Sequence, residues 1–213
     1  FDFTLNQAGH GDYPIDCRPF REHRARYPGK PFVESESMYE DVLTLEPNGR
    51  RRATPYILRR VAYLAMQNGA CGYTYGAQGM WHLQWDEPDE QKLDLGFGKC
   101  RPWYAGIDFP GAYQMGTMRR FYEDVGFHRL RPLSRDRVTN KTENSFGLTL
   151  SGDEFNALFT PSVTADEGME TVVAYYSEIN RYCLCLTGLT AKAYNARWFH
   201  PEDGTYTGIG EIT

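Results

Sequence analysis

Short apolar runs of strand length alternate with amphipathic runs of helix length through residues 1 to 130, and Pro and Gly mark the joints. Phe1 to Gln7 reads as a strand. Pro19 to Tyr27 reads as a helix that opens on Pro and closes on Pro28-Gly29. Lys30 to Glu36 is the second strand. Thr54 and Pro55 start a second helix, with Ile57, Val61, Leu64 and Ala65 at helical spacing and Gly69 as its stop. Ala70 to Tyr75 is the third strand and Ala112 to Val125 the third helix. Strand, helix, strand, helix in this order predicts parallel β/α units.

Beyond about residue 135 the pattern changes. Phe155–Thr160, Thr171–Tyr176, Tyr182–Leu186, Ala191–Phe199 and Thr207–Ile212 read as five short strands, broken at Pro161, Asp166-Glu167-Gly168, Gly188 and Pro201 to Gly204. This spacing predicts a small antiparallel sandwich. The fold class is therefore α/β followed by all-β, divided at residues 134 and 135.

The end of the second strand carries the sharpest chemical signal. In KPFVESESMYE, Lys30 to Glu40, the strand formers Phe32 and Val33 run into Glu34, Glu36 and Glu40. Carboxylates are costly to bury, so three of them after an apolar strand mark either a solvated loop or a site built to hold acids. Simple alternation puts Phe32, Glu34 and Glu36 on one face and Val33 and Ser35 on the other. Glu36, furthest along, is best placed to reach a pocket. Glu34 lies deeper as a hydrogen-bonded supporter, and Glu40 holds a loop or binds a hydroxyl. The first strand ends in Asn6, Gln7, Gly9 and His10, and the third in Tyr73 and Tyr75, with Gln78 and Trp81 following. In a β/α barrel those carboxyl ends form the active-site face. His10 is either a structural hydrogen-bonder or a ligand contact.

The chain holds 15 Tyr and 4 Trp, and such flat amphipathic rings suit sugar faces as well as cores. Trp81 and Trp85 are candidate exposed platforms, whereas Trp198 reads as core. The net charge of −5 argues against a nucleic-acid partner. Arg50-Arg51-Arg52, with Arg59-Arg60 behind them, reads as a solvated helix start. No apolar run approaches the roughly 20 residues a bilayer span requires. Cys17, Cys71, Cys100, Cys183 and Cys185 show no metal spacing and read as buried small hydrophobes, so neither metal nor cofactor is expected. Asn140-Lys141-Thr142 fits a glycosylation triplet of little weight. The chain opens on Phe inside a strand, without a charged leader, which suggests a natural start further upstream.

NQAGHGDY, KPFVESESMYE, LAMQNGACGYTYGAQGMW and PGAYQMGTMRRFY, in this order, resemble the C-terminal half of the apiosidase-like family of bacterial β/α-barrel glycoside hydrolases, long catalogued as endoglucanases. The tail ending ARWFHPEDGTY resembles the small β domain appended to those barrels and named for collagen binding. The resemblance implies strands six to eight of a TIM (β/α)8 barrel over residues 1–134 and a β-sandwich over 135–213. It implies a retaining glycosidase of a plant or host polysaccharide, with apiose-containing pectin side chains one candidate. Glu36 matches the nucleophile at the end of strand seven. Gln7, His10, Glu34, Tyr39, Glu40, Tyr73, Tyr75 and Trp81 match substrate-binding positions. Tyr73 stands where the family often has His, and Ser37 where it often has Pro. An eight-stranded barrel takes about 200 residues or more. The acid/base partner is thus expected upstream of Phe1, in a preceding segment or a second chain. The resemblance also implies a periplasmic or secreted protein. The alternatives are a non-catalytic carbohydrate-binding or adhesion protein and an inactive fragment.

Overall fold

Three strands in sequence order, each hydrogen-bonded in parallel to the next, form the sheet on which the candidate site stands in the computed structural model. The structure describes residues 1–10, 17–44, 51–85, 96–99, 101–134, 138–140, 161–177, 184–186, 189 and 193–213. β1 is Thr4–Gln7, β2 Phe32–Glu36 and β3 Gly72–Tyr73. Helix α1, Arg18–Arg26, joins the first pair and α2, Pro55–Gln67, the second; α3, Trp103–Gly106, and α4, Pro110–Asp124, follow. The mixed α/β order of this region is as the sequence predicts.

Local chemistry sets the helix ends. Thr54 is extended and Pro55 occupies the first turn of α2, where its missing N–H costs nothing. The Thr54 hydroxyl makes no capping bond, so proline starts this helix, not the side-chain cap expected from the sequence. At the other end Asn68 Nδ2 donates to Leu64 O at 2.8 Å. Gly69 then turns the chain with φ +101, a left-handed conformation that favours glycine.

The sheet has two unlike faces. Phe32 packs with Cys17, Phe20, Leu64, Ala65 and Ala70, so its face is covered by α1 and α2. Thr4, on that face, bonds His23 of α1 at 2.9 Å. On the opposite face Leu5 is 59% exposed and Phe3 is also exposed, while Val33 and Gly72 are half-buried.

β4, Arg131–Pro132, pairs antiparallel with β6, Ser162–Ala165, which pairs with β7, Val172–Tyr175. β5, Val138–Asn140, pairs with β8, Leu184–Leu186, and β9, Tyr194–Phe199, with β10, Tyr206–Ile212. Of these C-terminal strands, β6 and β7 rest on α2, and Phe199 of β9 meets α4. Tyr63 of α2 stacks on Tyr175, with ring centres 5.1 Å apart, and Phe121 of α4 stacks on Phe199 at 4.4 Å. Buried Gln67 binds both sides of the junction: its amide donates to Tyr122 Oη at 3.0 Å and its carbonyl accepts from Thr164 Oγ1 at 3.0 Å. A satisfied buried amide of this kind fixes one relative placement of the packed elements.

Several expectations need correction. Arg59 and Arg60 are buried, not a solvated helix start. The Arg59 guanidinium donates to Gln114 Oε1 at 2.5 Å and to Glu202 Oε1 at 2.6 Å, which ties α2 to α4 and to the turn before β10. Cys71 is exposed, while Cys17 is buried as read. Trp198 is exposed and meets Tyr176 edge-on rather than entering the core. The expected strand Phe155–Thr160 lies outside the described residues, as do Cys100, Cys183 and the last two residues of the glycosylation triplet. No helix among the described residues is long and apolar enough to cross a membrane.

Candidate functional site

A break in strand register builds the site. Asn6 pairs with Glu34, but the next residue, Gln7, pairs with Glu36, so β2 carries one extra residue there. Such a bulge re-aims the side chains that follow it. Ser35 Oγ satisfies the backbone at this point by donating to Asn6 O at 2.9 Å. The consequence is visible in the side-chain bonds. Glu34 bonds Asn6, and Glu36 bonds Gln7. Asn6 and Gln7 are consecutive in β1 and point to opposite faces, so the two carboxylates do too. The expectation that Phe32, Glu34 and Glu36 share a face is corrected here, because period-2 alternation does not survive the bulge.

Glu36 lies on the open face with Leu5 and Gln7, and its side chain is 35% exposed. Oε2 accepts from Gln7 Nε2. Oε1 lies 3.3 Å from His10 Nε2 and accepts from Tyr39 Oη, also at 3.3 Å. Burial, and then the Glu36 carboxylate, push the Tyr39 hydroxyl above its ordinary value, which keeps it a donor. The His10 ring stands edge-on to Tyr39 at 4.6 Å and to Phe97 at 5.4 Å. Three side chains, two from the end of β1 and one from the loop after β2, thus hold one half-exposed carboxylate.

Glu34 is the opposite case, at 0% exposure. Oε2 accepts from Asn6 Nδ2 at 2.6 Å and Oε1 from Ala8 N at 2.8 Å. Burial pushes its carboxyl above the ordinary 4.5, and those two bonds partly offset the rise. Glu40 is 4% exposed and bonds Tyr75 and the backbone N–H of Gly111, in the first turn of α4. Burial raises its carboxyl too, against the pull of the same two donors. Tyr73 accepts from Ser37 Oγ at 2.7 Å, below the site, and burial raises its hydroxyl well above the ordinary value. Trp81 is exposed; its indole N–H donates to Gln78 Oε1 at 3.1 Å and its ring packs on His82.

Of the residues read from the sequence, Gln7, His10 and Tyr39 therefore touch Glu36 directly. Glu34 sits under the other face, Glu40 and Tyr75 pair with each other, and Trp81 belongs to the turn after β3. Phe97 carries no sequence signal for this place beyond lying between two glycines. Gly76 and Gly111 were also missed as close-approach positions. A Cβ at Gly76 would overlap the Tyr39 ring, and one at Gly111 the Glu40 carboxylate. No cluster of His, Cys, Asp and Glu suited to a metal occurs among the described residues. Chemically, Glu36 is a fixed, partly exposed carboxyl group with hydrogen-bonding partners on both oxygens, on the same sheet face as exposed Leu5.

A family model described as "Apiosidase-like, catalytic domain" matches residues 1–129. No curated protein matches the chain. Among solved structures, one described as "Glycoside hydrolase" has a TM-score of 0.72 at 20% identity, with 100% of this chain and 47% of that one covered. A glycoside hydrolase family 5 protein from Bacteroides vulgatus ATCC 8482 has a TM-score of 0.77 at 20% identity, with 100% and 46% covered. At this identity the likeness speaks to the fold alone. The chain spans about half the length of the solved structures it matches.

Proposed function

This chain belongs to the apiosidase-like family, and from that membership we propose that it is the nucleophile-bearing half of a retaining glycoside hydrolase. In this reading residues 1–134 supply strands six to eight of a (β/α)8 barrel. Residues 135–213 form a β-sandwich that buttresses its outer helices. A preceding segment supplies the other strands and covers the Phe3, Leu5 and Val33 face. The substrate is an O-glycosyl bond of a plant or host polysaccharide, met in the periplasm or outside the cell.

The observation that carries the reading is the Glu36 cluster. Glycoside hydrolysis with retention uses two carboxyl groups about 5 to 5.5 Å apart. Glu36 has the exposure and the donors a nucleophile needs. Glu34, on the other sheet face, and Glu40, buried against α4, are not placed to be its partner. In this reading, by resemblance to the family, the acid/base is supplied by a preceding segment or a second chain. Glu36 attacks the anomeric carbon as the bond to the leaving oxygen breaks, and the partner acid protonates that oxygen. A glycosyl ester of Glu36 results. Water, deprotonated by the partner, then attacks the anomeric carbon, and the ester bond breaks to restore the carboxylate. Gln7, His10 and Tyr39 orient Glu36 and offer contacts to sugar hydroxyls, while Trp81 offers a stacking face.

Early-product NMR on the complete polypeptide tests this. Incubated with the aryl glycoside it cleaves, it should release sugar of the same anomeric configuration as the substrate. First-formed product of the opposite configuration would exclude a covalent role for Glu36.

A further inference from the structure

We propose that Glu40, Tyr75 and the α4 N-terminus form a buried latch that sets the position of Tyr39 and, through it, of Glu36. The inference rests on Glu36 being the nucleophile; of the two roles the sequence leaves open for Glu40, holding a loop or binding a hydroxyl, it takes the first and extends it to the position of Glu36.

Both the side chain and the backbone of Glu40 are tied down. Its Oε2 accepts from Tyr75 Oη at 2.7 Å and from Gly111 N at 3.0 Å. Its N–H donates to Gly76 O at 2.9 Å, and its carbonyl accepts from Gln78 N at 2.8 Å. The carboxylate faces the first turn of a 15-residue helix, where the backbone dipoles favour negative charge. Burial holds the Tyr75 hydroxyl far above its ordinary value, so it remains a donor. At 4% exposure, and with Tyr75 and Gly111 donating to its carboxyl group, Glu40 is enclosed by its own chain.

Tyr39 is the adjacent residue, so fixing Glu40 fixes the backbone from which Tyr39 springs. The strand β3 extension completes the hold, because the Tyr39 ring lies where a Cβ of Gly76 would be. Tyr39 Oη reaches Glu36 Oε1 and its ring meets His10. Asp41, on the other side of Glu40, has φ +67, a left-handed conformation uncommon for a side-chain-bearing residue. It is held there by Ala53 O, which accepts its N–H at 2.9 Å. The loop from Ser37 to Asp41 is thus over-determined, and strain of this kind persists where the surroundings demand one geometry.

The test is a double-mutant cycle in the complete polypeptide, read with the aryl glycoside it cleaves. Glu40→Ala should lower kcat on the order of 10- to 100-fold, as sub-ångström displacement of a reacting group does, with KM nearly unchanged. Because Oε2 takes both donors, Glu40→Gln keeps one acceptor for them and recovers most of the loss. In a Tyr39→Phe background, Glu40→Ala should cost little more, since the latch acts through Tyr39. If Glu40→Ala does not accumulate folded, Tyr75→Phe, which removes one donor only, enters the same cycle. A raised KM with kcat intact, no effect at all, or losses that multiply in the Tyr39→Phe background would each overturn the latch. Turnover that persists in Glu36→Gln would instead remove the nucleophile reading, and the Tyr39–Glu40 cycle separates the two failures.

Discussion

Replacing Glu36 with Gln in the complete polypeptide is expected to lower kcat on the order of 10⁴-fold, because an amide cannot form the glycosyl ester and loss of a nucleophile removes that whole route. The fold should survive. Gln fills the same volume, and its carbonyl still accepts from Tyr39 and His10 on one side. Sugar binding should therefore persist while turnover disappears. The contrast with the neighbouring acids sharpens the expectation. Glu34 and Glu40 are buried and engaged by fixed donors, so their amide variants should keep far more activity than Glu36→Gln. Comparing kcat for the three amide variants on one aryl glycoside checks this. Equal losses at all three positions would mean that the effect is structural. A fully active Glu36→Gln enzyme would place catalysis elsewhere and favour a glycan-binding role for this cluster.

The second large effect belongs to Glu34 and concerns stability. Glu34→Ala strips Ala8 N and Asn6 Nδ2 of their acceptor and leaves a small cavity. The two donors are part-buried, and orphaned donors cost up to about 1–3 kcal/mol when fully buried, so a loss of about 2 kcal/mol is expected for the pair with the cavity. The pH dependence has a definite sign. Burial holds the folded carboxyl above its ordinary 4.5. The folded protein then binds more protons at Glu34 than the unfolded chain does in the window between 4.5 and the raised value. This contribution is full below 4.5 and is lost as the pH rises through the folded value. Urea denaturation over a pH series should show wild-type stability falling across that window, and Glu34→Gln should flatten the slope. A slope of opposite sign, or one unchanged by Glu34→Gln, would mean that Glu34 is not the buried acid described.

Much of this architecture is legible in the chain because local signals agree. Pro55 and Gly69 bound α2, and Phe32-Val33 between a turn and a carboxylate cluster marks β2. The placement of Gln7 and His10 beside Glu36 also follows from strand ends alone, since parallel neighbours bring their carboxyl ends together. What the sequence conceals is non-local. The bulge at Ser35 reverses the face of Glu36, and nothing in FVESE distinguishes it from regular alternation. Arg59 is charged and sits near a helix start, yet its partners Gln114 and Glu202 lie far along the chain. Trp198 has a core residue's composition but an exposed place in β9. For Glu40 the sequence leaves loop-holding and hydroxyl-binding open, and its bonds to Tyr75 and Gly111, 35 and 71 residues away, decide between them. The short strand β6 follows directly on Pro161, which reads as a break.

The most direct test of the central claim is covalent trapping of the complete polypeptide with an activated 2-deoxy-2-fluoro glycoside, followed by peptide mapping by mass spectrometry. The account predicts one glycosyl adduct, on the peptide that contains Glu36, at its carboxylate. An adduct on Glu34, Glu40 or a carboxylate of another segment, or an enzyme that turns the reagent over without ever carrying sugar, would contradict it.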